Sequence, residues 1–138
     1  MASGRRSDGR KETAQAINIM IVINRDRSRP VITRHGSEIR PLIDRTTSPV
    51  KGCSLAEESL PPGSAITPHH HRQTEEIYYI LSGRGVMTVG DERQSIGAGD
   101  AVYIPAGARH TLENTGDEAM RIVLVCGPAF SHEDEIFD

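Results

Sequence analysis

Short stretches that alternate apolar and polar residues recur along most of the chain, and Gly, Pro, Asp or Asn residues separate them. Alternation with a period of two is typical of a β-strand that buries one face. The pattern predicts strands over residues 31–34, 38–43, 53–60, 66–71, 76–81, 85–89, 93–96, 101–104, 111–114 and 120–126. Short strands at this spacing indicate an all-β barrel or sandwich, and no stretch shows the period of an amphipathic helix.

The first apolar stretch, residues 17–23, differs from the others because both faces of the strand that it predicts are apolar. Its isoleucines share one face, whereas Met20 and Val22 lie on the other. Such a strand needs cover on both sides, since an uncovered one is an adhesive edge. Two interpretations stay open: an inner strand of the barrel, or a segment that packs against or exchanges with a second copy in a homodimer.

These patterns divide the chain into three parts. Residues 1–30 form a polar N-terminal tail with the possible dimer-contacting strand, residues 31–128 form the barrel, and residues 129–138 form an acidic C-terminal tail with one helical turn at most. A chain of 138 residues is long enough for one domain with a single core. Because the sequence has no Trp, this core must consist mainly of Val, Ile and Leu.

Charge and composition exclude several classes of function. A net charge of −3 offers no electrostatic footprint for nucleic acid. No apolar run approaches the roughly 20 residues that cross a bilayer, and the basic N-terminus lacks the apolar core of a secretory signal. Cys53 and Cys126 are not closely spaced, so we expect two reduced thiols in a cytoplasmic protein. Helix-turn-helix, phosphate-loop and nucleophile-elbow patterns are also missing.

Two spaced patterns between residues 63 and 114 hold the residues with metal-binding chemistry. They read Gly63-x5-His69-x-His71-x4-Glu76-x6-Gly83 and Gly99-x5-Pro105-x-Gly107-x2-His110-x3-Asn114. Three imidazoles and one carboxylate can hold one divalent metal ion and leave two positions of an octahedron open. Iron, manganese, nickel, zinc, cobalt and copper all accept this donor set, so the ligands alone do not choose among them.

Strand geometry accounts for the spacing within the two patterns. His69 and His71 lie two residues apart, so their side chains leave the same face of a strand. Glu76 follows at an odd distance, and we therefore predict a hairpin over residues 72–75 that returns it to the same interior. A type I turn over residues 105–107, with Pro at its second position and Gly at its fourth, would then place His110.

The remaining histidines are predicted to lie outside the metal site. By alternation His70 points away from its two neighbours and is expected to face solvent. His35 and His132 stand outside both patterns and are expected on the surface.

Together, the two patterns resemble the paired motifs of the cupin superfamily, and the resemblance covers about residues 45–127. It implies a single-domain, jelly-roll-like double-stranded β-helix barrel with the metal inside. It also implies that the ligands are His69, His71, Glu76 and His110, with Glu76 preferred over Glu75 because only Glu76 keeps six residues before the second Gly. The Gly, Pro and Asn positions of the motifs then have turn and barrel-corner roles.

The resemblance implies a metal-dependent enzyme that acts on a small polar molecule, such as a sugar derivative, a keto acid or a phenol. Oxygenase, isomerase and lyase activities all stay open, because one fold hosts many reactions. Tyr78 shares the face of Glu76, so it is a candidate catalytic residue that lines the pocket or donates a proton; the alternative is a packed core tyrosine. A non-catalytic module that binds or senses a sugar-like molecule is the second interpretation, and a storage protein is the third.

Overall fold

The computed structural model describes residues 18–137, and in this part of the chain it contains eleven β-strands, two short 3-10 turns and no α-helix. The strands are β1 (Val31–Ile32), β2 (Glu38–Ile43), β3 (Ser54–Leu60), β4 (His69–His71), β5 (Glu75–Ser82), β6 (Arg84–Val89), β7 (Glu92–Gly97), β8 (Ala101–Ile104), β9 (His110–Asn114), β10 (Met120–Gly127) and β11 (Glu135–Phe137). The 3-10 turns cover Arg25–Arg27 and His132–Asp134. Among the described residues, no helix is long and apolar enough to span a membrane.

The strands form two antiparallel sheets that pack against each other. One has six strands in the order β1-β2-β3-β10-β5-β8, and the other has five in the order β11-β4-β9-β6-β7. Because β10 lies between β3 and β5, and β9 lies between β4 and β6, segments that are distant in sequence pair side by side. The structure confirms the predicted all-β barrel.

Side chains on the inner faces of both sheets make one core, and β5 shows how the sequence produces it. Glu76, Tyr78 and Ile80 are buried, whereas the alternating residues Ile77 and Tyr79 are exposed. The apolar core cluster contains Leu60, Ile66, Tyr78, Ile80, Met87, Ile96, Ile104, Leu112, Met120 and Ile122. Burial of each large apolar side chain contributes about 1.5–3 kcal/mol, so the barrel is held mainly by this interior.

The predicted strand over residues 17–23 is not observed in the part of it that the structure describes. Residues 18–23 pair with no described strand, and Ile17 lies outside the described residues. Ile21 and Ile23 are half-buried, while Met20 and Val22 are exposed, so the exposure of residues 20–23 alternates although no described strand pairs with them. A strand needs a partner for its backbone groups, and β1 already occupies the sheet edge next to β2.

The C-terminal segment differs from the predicted tail. Instead of ending outside the barrel, it forms the second 3-10 turn and then β11, which pairs with β4 at the edge of the five-stranded sheet. A three-residue strand is too short to show a periodic pattern, so its pairing depends on the neighbouring β4 backbone. The last described residues, 135–137, therefore lie beside the strand that carries His69 and His71.

The break after β4 also differs from its prediction. We predicted a hairpin over residues 72–75, but β4 belongs to the five-stranded sheet and β5 to the six-stranded sheet. The segment therefore crosses from one sheet to the other. The side chain of Glu76 still turns toward the interior, because the crossing resets the alternation.

Candidate metal centre

Three strands from the two sheets bring the four predicted donors together inside the barrel. His69 and His71 come from β4, Glu76 from β5 and His110 from β9, and all four residues are buried. One donor atom from each lies within 4.8 Å of the donor atoms of the other three. Because β4 and β9 pair with His69 directly opposite His110, the contact between these two imidazoles follows from the register of the sheet.

Backbone carbonyls orient two of the imidazoles. The Nδ1 atom of His69 lies 2.8 Å from the carbonyl oxygen of Thr67, and the Nδ1 atom of His110 lies 3.0 Å from that of Ala108. A carbonyl only accepts hydrogen bonds, so each Nδ1 carries the proton and each Nε2 keeps its lone pair. Fixing the tautomer in this way is the usual arrangement around a metal-binding histidine.

A tight turn between β8 and β9 precedes His110 and contacts the strand of His71. The N–H of Ala108 donates to the carbonyl of Pro105 at 3.2 Å, so the turn runs from Pro105 to Ala108. Gly107 has a φ of +83°, which makes this a type II turn instead of the predicted type I. Its N–H donates to the carbonyl oxygen of His71 at 2.6 Å and ties the turn to β4.

The Glu76 carboxylate has one oxygen in the cluster and one outside it. Its Oε1 lies 3.2 Å from Nε2 of His110 and 3.6 Å from Nε2 of His71. Its Oε2 accepts a hydrogen bond from the thiol of Cys126 at 3.2 Å, because Cys126 on β10 lies directly opposite Glu76. With metal–ligand bonds of about 2.0–2.2 Å, two donors at right angles are about 3 Å apart, close to these separations.

Several buried polar atoms in the cluster lack a hydrogen-bond partner among the described residues. They are Nδ1 and Nε2 of His71, Oε1 of Glu76 and Nε2 of His110. An unsatisfied buried polar atom costs about 1–3 kcal/mol, so four in contact are unusual unless something binds there. Imidazole nitrogens and a carboxylate oxygen are donors for a divalent transition metal, so the residues present fit such an ion.

The electrostatics of the cluster keep two of its donors, His69 and Glu76, in a metal-binding state. Burial and the neighbouring His110 lower the pKa of His69 to about 4, so its imidazole is neutral near pH 7. Burial acts to raise the pKa of Glu76, but the adjacent His110 and His71 outweigh it and hold that pKa at about 2. For His71, burial is outweighed by the Glu76 carboxylate, which raises the pKa. A metal ion therefore competes with a proton chiefly at His71.

Tyr78 lies in the core directly beside this cluster. Its side chain is 2 % exposed, and its ring meets the ring of His110 edge to face at a centroid distance of 6.0 Å. Burial raises the pKa of its hydroxyl well above the ordinary value. This surrounding fits a packed tyrosine, and a catalytic role for Tyr78 stays a prediction.

Of the other histidines, His132 is exposed as predicted, whereas His70, expected to face solvent, is only partly exposed. The surface placement of His35 is wrong: its side chain is only 12 % exposed, and its Nε2 lies 3.1 Å from the Glu58 carboxylate. His35 lies in the turn between β1 and β2, and the pairing of β2 with β3 brings this turn next to Glu58. The sequence alone does not reveal that pairing.

His35 also contacts the segment that orients His69. The backbone N–H of Thr67 donates to Nδ1 of His35 at 3.1 Å, and the carbonyl of the same Thr67 accepts from His69. A chain of hydrogen bonds thus runs from the buried Glu58 through His35 and Thr67 to His69 of the donor cluster. Outer partners of this kind commonly orient metal ligands.

Two aromatic residues that sequence reasoning missed cover the cluster from the C-terminal side. The rings of Phe130 and Phe137 lie 6.1 Å from the ring of His71 and 5.6 Å from that of His69, respectively. The guanidinium of Arg34 stacks on Phe137 at 3.7 Å. Cys126 was also missed as a partner of Glu76. Only the strand register reveals these contacts.

A cleft of about 600 Å³ opens between the edges of β7 and β8, away from this cover. Met87, Ile96 and Val102 are among the residues that line it. The lining contains none of the four clustered donors.

Comparison with known proteins places the chain in a family. The model of the cupin domain matches residues 56–126, so this protein belongs to the cupin family. An uncharacterized protein of Methanocaldococcus jannaschii is 42 % identical over 109 residues, which span 79 % of this chain and 87 % of the relative. The resemblance seen in the two motifs is therefore confirmed.

Two further similar proteins have names that refer to oxalate. The oxalate-binding protein of Thermotoga maritima is 35 % identical over 88 residues, which span 64 % of this chain and 73 % of that protein. A crystal structure of a predicted oxalate decarboxylase from the same organism aligns with a TM-score of 0.71 and 29 % identity, over 78 % of this chain and 99 % of the other. These matches confirm a small cupin barrel of similar size.

Proposed function

We propose that this cupin binds one divalent transition metal ion through His69, His71, Glu76 and His110 and is a metal-dependent enzyme for a small polar substrate. The observation that carries the proposal is the convergence of four donor atoms, several of them buried without a hydrogen-bond partner. Iron, manganese, nickel, zinc, cobalt and copper all remain candidates, since each accepts this donor set.

The chain's own residues would fix how a substrate meets the ion. When bound, the metal would supply Lewis-acid polarisation of a substrate oxygen. The carbonyls of Thr67 and Ala108 hold two imidazoles in one orientation, and Cys126 holds Glu76. Phe130 and Phe137 place apolar rings next to the ligands and limit the access of water.

Among the substrate classes expected from the sequence, we favour a small, oxygen-rich acid such as a keto acid. An oxygen of such a molecule can take a coordination position that the four ligands leave open on an octahedral ion. The names of the Thermotoga maritima proteins, one oxalate-binding and one a predicted decarboxylase, support this class. Oxygenase, isomerase and lyase activities remain the reaction types to test.

Binding without turnover is the alternative function, because one of these relatives is named only for binding. To distinguish the enzyme from a binding protein, we load the protein with each candidate metal and measure by NMR whether keto acids, phenols and sugar derivatives are bound or converted. Turnover that is lost in His110→Ala and retained in His132→Ala supports the enzyme, since His132 is an exposed histidine outside the cluster. Metal-dependent binding of a compound that is never converted supports the alternative.

The proposal includes a homodimer in the cytoplasm. The outer face of β5 and β8 exposes Ile77, Tyr79, Leu81 and Tyr103, the last at 58 %. The N-terminal segment exposes Met20 at 87 % and Val22 at 80 %. A second copy would supply cover for both apolar surfaces.

Sedimentation velocity tests the dimer. We expect a dimer for the wild-type chain and a monomer for a variant with Met20→Asp and Val22→Asp. A wild-type protein that stays monomeric at concentrations where the barrel is folded contradicts this part of the proposal.

A further inference from the structure

The C-terminal strand places a second carboxylate beside the metal cluster. In the ladder of β4 and β11, Glu135 lies opposite His71 and Phe137 lies opposite His69. Directly opposed residues of an antiparallel pair point to the same face, so the side chain of Glu135 turns inward with those of the two histidines. The Oε2 atom of Glu135 lies 3.9 Å from Nε2 of His69.

This separation is compatible with two donors of one ion. Bonds of about 2.0–2.2 Å place two donors about 3 Å apart at right angles and about 4.2 Å apart when they are opposite. The observed 3.9 Å falls between these limits. Glu135 is not within the group whose donor atoms all lie within 4.8 Å, and donors of one ion are at most about 4.2 Å apart, so its side chain would move toward the four inner donors to share their ion.

Side-chain exposure identifies the side of the cluster on which Glu135 lies. The side chain of His110 is fully buried, that of His69 is 8 % exposed, and that of Glu135 is 19 % exposed. Glu135 therefore lies at the margin of the cluster, where β11 covers it. A ligand from β11 would reach the ion at a position that the four inner donors leave open.

The neighbouring carboxylate, Asp134, has a different role. Its Oδ1 accepts from the backbone N–H of Gln73 at 2.9 Å, and its Oδ2 accepts from that of Thr74 at 3.1 Å. These bonds fasten the 3-10 turn to the segment that follows β4. Asp134 thus anchors the start of β11, and Glu135 is the carboxylate that this anchor directs toward the histidines.

We propose that Glu135 is a fifth protein ligand of the metal ion, carried on the C-terminal strand. The inference rests on the proposed binding of a metal by the four inner residues. With five protein donors, an octahedral ion keeps one position for substrate or water. Binding of the ion would also hold β11 on β4, so the metal would order the C-terminal segment.

Cobalt binding tests the proposal without an activity assay. The affinity of the metal-free protein for Co²⁺ is measured by competition with a chelator, and the d–d absorption of the bound ion reports its coordination. We compare the wild-type protein with Glu135→Gln. The control is Glu133→Gln, which removes the same charge two residues away from an exposed position.

Glu135→Gln should bind Co²⁺ about tenfold more weakly or worse, and its d–d spectrum should change, since even outer partners of a metal site cost about 10–100-fold in affinity. Glu133→Gln should match the wild type in both readouts. An unchanged spectrum overturns the proposal, whether or not the affinity falls, because a through-space charge effect alters affinity without altering coordination.

Hydrogen exchange of the amides in β11 provides a second readout, in which Co²⁺ should slow exchange in the wild type but not in Glu135→Gln. Equal protection in both proteins overturns the proposal. Failure of the proposed function is distinct from these results: there the wild-type protein itself binds no Co²⁺, or binds it without converting any substrate.

Discussion

Replacing Cys126 tests how precisely the Glu76 carboxylate must be held. The thiol donates to Oε2 of Glu76 at 3.2 Å, while Oε1 faces His71 and His110. Burial and the Glu76 charge raise the pKa of the thiol, so it keeps its proton and remains a donor. Without this bond, the carboxylate is free to rotate, and Oε1 is no longer held toward His71 and His110.

The size of the effect follows from the position of Cys126 as an outer partner of a metal ligand. Loss of such a partner costs about 10–100-fold in metal affinity, which equals about 1.4–2.8 kcal/mol. Cys126→Val keeps a similar buried volume but removes the donor, so we expect a loss in this range. Cys126→Ser keeps a donor and should bind metal nearly as tightly as the wild type.

The assay is chelator competition with Co²⁺ at neutral pH, with urea unfolding of the metal-free proteins as a control for the fold. A matched control is Cys53→Val, because Cys53 is exposed and outside the cluster. Wild-type affinity in Cys126→Val would refute the idea that the thiol positions Glu76. Equal losses in the Val and Ser variants would refute it as well, since the donor would then be irrelevant.

Three further predictions concern stability and are measured by urea unfolding in the presence of a chelator. Gly85→Ala should lower the free energy of unfolding by about 3 kcal/mol, because the added Cβ would overlap the carbonyl oxygen of Glu113 and lie 2.8 Å from Sδ of Met120. In Gly97→Ala the added Cβ makes only an ordinary contact, so the free energy of unfolding should change little. Equal effects of the two substitutions would contradict this reasoning. Asn114→Ala should also lose about 3 kcal/mol, because the hydrogen bonds of the Asn114 side-chain amide with the backbones of Leu60, Gly116 and Glu118 would all be missing. Asn24→Ala, which removes an exposed helix cap, should lose about 1 kcal/mol or less. As the pH falls from about 6.5 to about 4, the metal-free wild type should lose about 3 kcal/mol more than a His69→Asn variant, because the unfolded wild-type chain protonates His69 first, whereas the raised pKa of His71 acts in the opposite direction in both proteins; equal profiles would contradict the lowered pKa of His69.

The positions of most strands could be predicted because each buries one face of a sheet. Residues 38–43 and 101–104 match their predicted bounds, and the other predicted strands from residue 31 onward overlap observed ones. The convergence of the four donors was also predictable, since the spacing of both motifs carries it. The predicted strand over residues 17–23 is not observed in its described part, because an apolar pattern alone does not supply a neighbouring strand for it to pair with.

Contacts that depend on register were outside the reach of sequence reasoning. Cys126 meets Glu76 only because β10 pairs with β5 in one register, and Glu135 reaches His69 only because β11 adds to β4. The buried position of His35 depends in the same way on how the β1–β2 turn meets β3. Local patterns determine which face of a strand is buried, but the neighbours of a strand follow from the packing of the whole barrel.

Anomalous diffraction from crystals grown with Co²⁺ tests the central claim most directly. We expect one strong peak per chain, about 2.0–2.2 Å from Nε2 of His69, His71 and His110 and from Oε1 of Glu76. Absence of a peak between these atoms, or a peak bound only elsewhere on the chain, would contradict the claim that this barrel is built around a metal ion.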